Sequence, residues 1–402
     1  MKNKLLLILL LAVLSSNSNV LFSQDYPVYK GRIIDHTTKE SIIGAAIYSD
    51  SLKIGTVTNE NGEFIIKFPK KTTVSIRHLS YQPVNFVLEK TDGNTIEMIP
   101  AVVNLQDVTV TTSKNYALQL VKNANNNAAE DSGKNIFSKG FYQKVAKFGK
   151  DNTVIHEFFF DAAWNSYGIK KWNITQARYA KKDTSAKLFE FTNISTLISY
   201  YLIGDISHLD IMPNSLNDIG KYYKFTISSF LNINTDEEIA IVNCKPIHKV
   251  KNKVFFNGNL YIKTNTYKLV KIQGSINDII PFQFFSHFRN PDLNIDVVFK
   301  DEPAGIILDH ANIIFSMDFW DSPFKKNRVT EDIKILLYNY GLKPISGLKD
   351  VYVKNDTKLL KTIQYDPEFW KNNEVVKRTP IEKNVIETFE KKKYFGNYFD
   401  KK

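Results

Sequence analysis

Seven histidines, one cysteine and a few clusters of carboxylates are the residues of this chain that could do chemistry. A hydrolytic zinc site needs a histidine and a glutamate close in sequence plus a further histidine, with one position left open for water. Three residues after the seven histidines stand Lys39, Tyr81, Phe159, Ile211, Lys251, Asn290 and Ile313, so no H-x-x-E pair exists. Cys244 has no second cysteine with which to close an intramolecular disulfide and is expected to be a small buried hydrophobe. No G-x-S-x-G elbow, phosphate-binding G-x-x-x-x-G-K-[ST] loop, H-E-x-x-H helix or EF-hand loop occurs. Asn59, Glu60, Asn61 and Glu63 offer oxygens to a calcium ion, but the run is too short for a full ligand set and reads as a hairpin turn. Asp309 and His310, with Asp318 and Asp321 nearby, form a second cluster, and strict alternation along a strand would place Asp309 and His310 on opposite faces. On these grounds the sequence names no catalytic residue, no metal ligand and no cofactor.

The elements that would position any site are mostly strands. Residues 1–23 carry Lys2 and Lys4 ahead of an apolar run at 5–14, the pattern of a secretory signal with cleavage expected between Ser23 and Gln24. That run is far shorter than the ~20 residues of a membrane span. No cysteine lies near the cleavage point, so a lipoprotein anchor is not expected. The chain is 43% hydrophobic and 24% charged, which suits folded domains, and its formal charge is +11. The lysines are interleaved with Asn, Asp and Glu, as on a solvated surface. Aromatic residues make up 13% but fall within alternating strands, where they fill a core instead of stacking on bases, so no nucleic acid partner is expected.

Residues 24–100 show strand signals at the short spacing of an antiparallel sandwich of about seven strands. Within them Gly31-Arg32-Ile33-Ile34-Asp35, Gly44-Ala45, Gly55-Thr56, the run Thr58-Asn59-Glu60-Asn61-Gly62-Glu63-Phe64 and Tyr81 follow one another. Asn61-Gly62 marks a two-residue turn after which residues 63–68 are expected to return as the partner of the preceding strand. This pattern resembles the carboxypeptidase-regulatory-like domain, with its transthyretin-like or prealbumin-like β-sandwich. Ile43 stands where that family has proline and Ser80 where it has glycine, both at loop positions. The resemblance implies a fold and no activity, because the zinc of the metallocarboxypeptidases that gave the family its name belongs to a separate catalytic domain.

Residues 101–134 read as a linking strand, LQDVTVTT at 105–112, and an amphipathic helix. The helix has Ser113 as its cap and Ala117, Leu120, Val121, Ala124 and Ala128 on one face, with Asn125-Asn126-Asn127 and Asp131-Ser132-Gly133 to end it. Residues 135–355 alternate again: Tyr223, Phe225 and Ile227 in one segment, and Ala311, Ile313, Phe315, Met317 and Phe319 in another. The expected form is a larger antiparallel sheet with one wet and one dry face and a few helices. The run GNLYIKTNTYKLVKI, a hairpin turning at Thr264-Asn265-Thr266, resembles a hairpin of the open half-barrel of periplasmic lipoprotein carriers. Two apolar stretches, 194–211 and 279–288, interrupt the strands; as core they would fill the concavity, and as a lid they would line an apolar ligand with Leu197, Tyr201, Phe282, Phe284 and Phe285. Residues 356–402 form a helical tail: Asp366-Pro367 starts one helix, and Thr379-Pro380-Ile381-Glu382 starts another whose Ile381, Val385 and Phe389 make one stripe, stopped at Gly396.

The reading is a mainly β, non-enzymatic exported protein of a gram-negative envelope, periplasmic or peripherally associated with the outer membrane. It would bind an envelope protein partner or a lipid-like ligand. The other classes weighed are an integral outer-membrane β-barrel or receptor accessory, since alternating ~10-residue segments also build such barrels, and a hydrolase. The chain ends in Asp400-Lys401-Lys402 after a helix, whereas a barrel is expected to end in an aromatic strand.

Overall fold

A computed structural model describes residues 26–101, 103–104, 113–131, 133–149, 151–166, 168–181, 219–232, 235–247, 255–277, 288–303, 305–322, 325–351, 359–373, 375, 378 and 380–395. The expected leader, the 105–112 strand, Thr379, Gly396 and most of the two apolar stretches lie outside them.

Seven strands build the N-terminal sandwich: β1 (Val28–Asp35), β2 (Ala46–Ser49), β3 (Ile54–Val57), β4 (Glu63–Lys67), β5 (Thr72–Arg77), β6 (Val84–Leu88) and β7 (Asn94–Met98). One sheet runs β4-β1-β7 and the other β3-β2-β5-β6, and only the β1–β7 pairing is parallel. Alternation puts Ile33, Ile47, Phe64, Val74, Ile76, Leu88 and Met98 between the sheets, all fully buried.

The Asn61-Gly62 expectation is corrected. β3 pairs with β2 and β4 with β1, so the turn carries the chain from one sheet to the other instead of closing a hairpin. The Asn59 side chain organises it, its Oδ1 accepting from the backbone N–H of Asn61 and of Glu63, both at 2.9 Å. Only Gly62 takes positive φ, +70°, where a Cβ would lie 2.6 Å from the Ile33 carbonyl. A two-residue type I′ hairpin needs positive φ at both central residues. Asn59 thus spends its oxygen on the backbone; Ile43 and Ser80 both sit in turns.

After β8 (Val103–Asn104) comes helix α1 (Ser113–Asp131), which runs straight through Asn125-Asn126-Asn127 and ends only at Asp131. Tertiary packing overrides the weak helix propensity of those asparagines. Ala117, Leu120, Val121, Ala124 and Ala128 are the buried face, as their spacing predicts.

The larger sheet is built from β9 (Ile136–Phe148), β10 (Asp151–Asn165), β11 (Gly168–Lys181), β12 (Tyr223–Leu231), β13 (Ile239–Pro246), β14 (Phe255–Lys263), β15 (Leu269–Asn277), β16 (Phe288–Glu302), β17 (Gly305–Ser322) and β18 (Lys325–Leu342), with two-residue β8 and β19 (Lys349–Asp350) at its edges. A four-residue helix, α2 (Ile219–Tyr222), precedes β12. Strand order is β19-β11-β10-β9-β18-β17-β16-β15-β14-β13-β12-β8, antiparallel throughout, and β14 and β15 form the expected hairpin. The sheet is open among the described residues, since β19 and β8 do not pair with each other. Bulges interrupt the register between Phe159/Phe160, Val298/Phe299 and Trp320/Ser322, and such points bend and twist a sheet. Side chains of one face, from Tyr142 on β9 to Val242 on β13, join in a single apolar core with α1. The fold is therefore mainly β, a prealbumin-like sandwich followed by a half-barrel-like sheet.

The tail packs on the opposite, outer face. Asp366 caps α3 (Pro367–Asn372), accepting from Phe369 N at 3.1 Å. In α4 (Pro380–Lys391) Val385, Ile386 and Phe389 are buried against Val145, Ile155 and Ala180 of β9, β10 and β11. The tail thus docks on its own domain. It turns away at Lys393, whose φ is +54°, three residues ahead of Gly396.

Candidate functional site

Three places on this sheet gather polar or apolar groups with chemical potential. On the outer face Glu157, Arg178 and Gln143 lie at most 5% exposed under α3 and α4. Gln143 Nε2 donates to Glu157 Oε1 at 2.6 Å, Arg178 pairs with Glu157 and, at 3.5 Å, with Glu390, and Arg378 stands 3.6 Å from Glu157. The Arg178 guanidinium lies 4.5 Å from the ring centre of Trp370 and 5.0 Å from that of Phe395. Burial works to raise the Glu157 pKa, but the charges of Arg178 and Arg378 and the hydrogen bonds from Gln143 and Arg178 outweigh it and hold the carboxyl below its ordinary range. A surface cleft of about 670 Å³ opens above, lined by Arg178, Trp370, Arg378 and Phe395 among others. Its floor is committed to internal pairing, which makes this network a clamp for the tail.

The second place is where the sandwich meets the sheet. A bulge at Asp309, between the pairs Val298–His310 and Phe299–Leu308, shifts the alternation by one residue. Asp309 and His310 consequently share the outer face, and His310 Nδ1 lies 2.7 Å from Asp309 Oδ2. This overturns the expectation that the two residues face opposite ways. A Cβ on Gly44 of the sandwich would lie 3.2 Å from His310 Nε2, so the sandwich seals the pair. Nearby, Tyr48 stacks under Lys300 at 3.7 Å and Leu79 packs with Leu231, Ile239 and Val270. The tail also grips the sandwich, Thr56 Oγ1 donating to the Val375 carbonyl at 2.7 Å.

His78 of the sandwich sits in this junction with its pKa pushed down to about 4 by burial and by the charges of Lys271 and His310, against a smaller opposing pull from Asp296. Its ordinary value is 6.5, so unfolded chains take up a proton that the docked form refuses. Stability from this group is complete above pH 6.5 and falls as the pH drops from 6.5 towards about 4. Urea midpoints measured across that window are expected to drop less for His78→Gln than for the wild type; equal slopes would remove His78 from the acid response.

The third place is the inner face, and it has two distinct ends. At one end α1 meets three turns: Asn127 Nδ2 donates to the Thr266 carbonyl at 3.2 Å, Ser166 bonds the Ala128 carbonyl, and a Cβ on Gly305 would lie 3.7 Å from Asp131. Here the interior is filled by large rings, Phe158, Phe160, Trp164 and Trp172, each at most 1% exposed. At the opposite end β11, β13 and β15 finish at Lys181, Pro246 and Asn277, and the connections that follow them, residues 182–218, 248–254 and 278–287, lie outside the described residues. Leu197, Tyr201, Phe282, Phe284 and Phe285 belong to these connections and lie outside the described residues.

Between the two ends the apolar face is broken by charge. Lys144 and His156 are register partners on β9 and β10, both fully buried, and both share the face of Tyr142 and Phe158. Glu331 of β18 lies on the same face, 1% exposed at its side chain, its Oε2 3.8 Å from Lys144 Nζ. Tyr179 of β11 is the register partner of His156. Outward of this group the face is apolar again, with Ala146, Val154, Met317 and Val329 buried and the rings of Phe148 and Phe319 5.6 Å apart. Reading the sequence by motif misses these residues. The available signal was a lysine in the inward register of YQKVA and a histidine in that of VIHEF, polar residues where alternation calls for apolar ones.

The fold and its sites define a two-module β-protein, a small sandwich packed on the outer face of an open antiparallel sheet. Residues 29–110 match the CarboxypepD_reg-like domain family, so the N-terminal module is a domain of that family. No curated protein matches the chain. Among solved structures, a DUF1329 family protein from Desulfovibrio piger ATCC 29098 aligns at 6% identity over 61% of this chain and 95% of its own, with a TM-score of 0.24. Lipovitellin aligns at 11% identity over 55% of this chain and 27% of its own, TM-score 0.26. A protein of unknown function from Bacteroides fragilis NCTC 9343, described as membrane-associated, aligns at 10% identity over 78% and 98%, TM-score 0.15. Superpositions this loose carry no argument about ligand or activity.

Proposed function

We propose that this chain is a non-enzymatic, exported protein of the cell envelope, periplasmic or peripheral to the outer membrane, that binds an apolar, lipid-like ligand inside its open sheet. The observation that carries this reading is the asymmetry of the inner face: one end is packed with aromatic rings under α1, and the other is lined by Ala146, Val154, Met317 and Val329 with the rings of Phe148 and Phe319. The CarboxypepD_reg-like domain serves as a docking module. Its seat on the outer face, together with the α3–α4 clamp, also speaks against an integral barrel, whose outer surface must be a bare apolar band. No described helix is long and apolar enough to cross a membrane.

The test is native mass spectrometry of mature protein purified without detergent, before and after solvent extraction. A bound apolar molecule that extraction removes and re-addition restores is the expected result. Protein that is consistently free of ligand and takes none up would sink the carriage reading. Turnover of peptides, glycans or esters that disappears on substitution of one defined side chain would make the protein an enzyme instead, and retention in the membrane after an alkaline carbonate wash would favour the barrel.

A further inference from the structure

Where sandwich, sheet and tail come together, the outer face carries more negative charge than its neighbours neutralise. A cavity of about 210 Å³ lies there, with Asn312 and Ile314 of β17 and Asp332 of β18 on the sheet side and Ile43 and Glu60 on the sandwich side. The turn organised by Asn59 sets Glu60 at this cavity. Register places Asp332 between two aliphatic residues, Ile314 and Val145, and the charges of Glu60 and Glu382 reach it. Lys334, its neighbour two residues on, is already engaged, its Nζ bonding Glu382 at 2.7 Å, and Lys147 acts on Asp332 more weakly than any of these. Burial and the two carboxylates outweigh both lysines and hold the Asp332 carboxyl above its ordinary range. Among the described residues neither the Asp332 nor the Glu60 carboxylate has a hydrogen bond or a direct ion pair. A mostly buried carboxylate left in this state costs stability, and such costs gather at functional sites.

The walls indicate the complement. Ile43 and Ile314 are 52% and 43% exposed, large apolar side chains left bare at the same cavity, which Val57, Ile335 and Leu336 continue with apolar surface. The volume is below the ~300 Å³ at which pockets for drug-sized ligands begin, and suits one slender side chain. An aliphatic stem ending in a cation meets both requirements. Arginine's planar fork matches a single carboxylate, whereas the three donors of an ammonium point apart and suit carboxylates from two different elements together with the Asn312 amide oxygen.

We infer that this junction is a docking site for a partner protein that inserts a lysine side chain between sandwich and sheet, its ammonium bonding Asp332 and Glu60 and its stem lying against Ile43 and Ile314. The site is separate from the inner face, so it holds or fails independently of the carriage reading.

The experiment follows the Ile43 and Ile314 methyl signals of the mature protein by NMR while the blocked tripeptide leucyl-lysyl-leucine is titrated in, with its norleucine counterpart as the neutral control. Saturable shifts and a lysine preference of about tenfold or more are expected, the size of one charged hydrogen bond. Asp332→Asn is expected to abolish the preference and Glu60→Gln to reduce it. Because folding raises the Asp332 pKa, its penalty is absent below the ordinary 3.8 and grows as the pH rises from there through the raised value. Asp332→Asn is therefore expected to keep or raise the urea midpoint at neutral pH, which separates a lost ligand from a lost fold. The inference is overturned by the absence of saturable shifts, by equal affinity for the two peptides or by a preference that survives Asp332→Asn. A lowered midpoint for that variant makes Asp332 a structural partner and also overturns it. Tighter binding of n-butylamine than of the lysine peptide reassigns the site to free amines and overturns the protein partner.

Discussion

Arg178→Ala is expected to lower the unfolding free energy by about 3–5 kcal/mol, the usual cost of removing one partner from a buried pair. The substitution leaves Glu157, which is fully buried, with Gln143 as its close hydrogen-bond donor and Arg378 at 3.6 Å as its remaining cation. It also removes the cation seated against Trp370 and Phe395, so the tail loses its central contact with the sheet. Arg178→Met/Glu157→Leu is expected to recover most of the loss, because it leaves no charge uncompensated. The same pair sets an acid response. Glu157 titrates below its ordinary 4.5 in the folded chain, so its contribution is complete above that value and is lost as the pH falls through the lowered one. Urea unfolding at neutral pH and near pH 3 should show the wild type losing more on acidification than the Met/Leu variant. An Arg178→Ala protein within 1 kcal/mol of the wild type, roughly the scatter of surface substitutions, would show that the clamp does not hold the fold.

Trp164→Ala is the second large effect, with a loss of about 3–5 kcal/mol. The indole is completely buried, its Nε1 donates to the Ile306 carbonyl at 2.9 Å, and its ring lies 6.2 Å from that of Phe299. This contact joins β10 to the start of β17, across two intervening strands, and so helps hold the curl of the sheet at its α1 end. Truncation opens a cavity and strands the carbonyl, whereas Trp164→Phe restores most of the volume and leaves only the lost hydrogen bond, about 1 kcal/mol. Calorimetric unfolding of the two variants separates these contributions. A loss from Trp164→Ala no larger than that from Trp164→Phe would mean the site collapses around the missing ring.

Sandwich, sheet and tail were each legible as local patterns. Period-two alternation in β12 and β17, the turn at Thr264-Asn265-Thr266, the Asp366-Pro367 start of α3 and the five-residue apolar face of α1 all stand in the structure as their spacing implies. Turn and helix-end details were less legible. Asn61-Gly62 looks like a hairpin because local chemistry does not encode which sheet a strand joins, and that choice was made by the pairing of β4 with β1.

What the sequence by itself determined is therefore the kind of element at each place and which side of it is apolar, since both follow from residue type and a fixed backbone period. Only the tertiary structure decided which polar residues meet. One inserted residue at Asp309 turns an apparent opposition with His310 into a hydrogen-bonded pair. Lys144 and Glu331 lie far apart in sequence and become neighbours only because β18 returns beside β9. Parity within a strand is written in the chain; register between strands is set by the packing of the whole sheet.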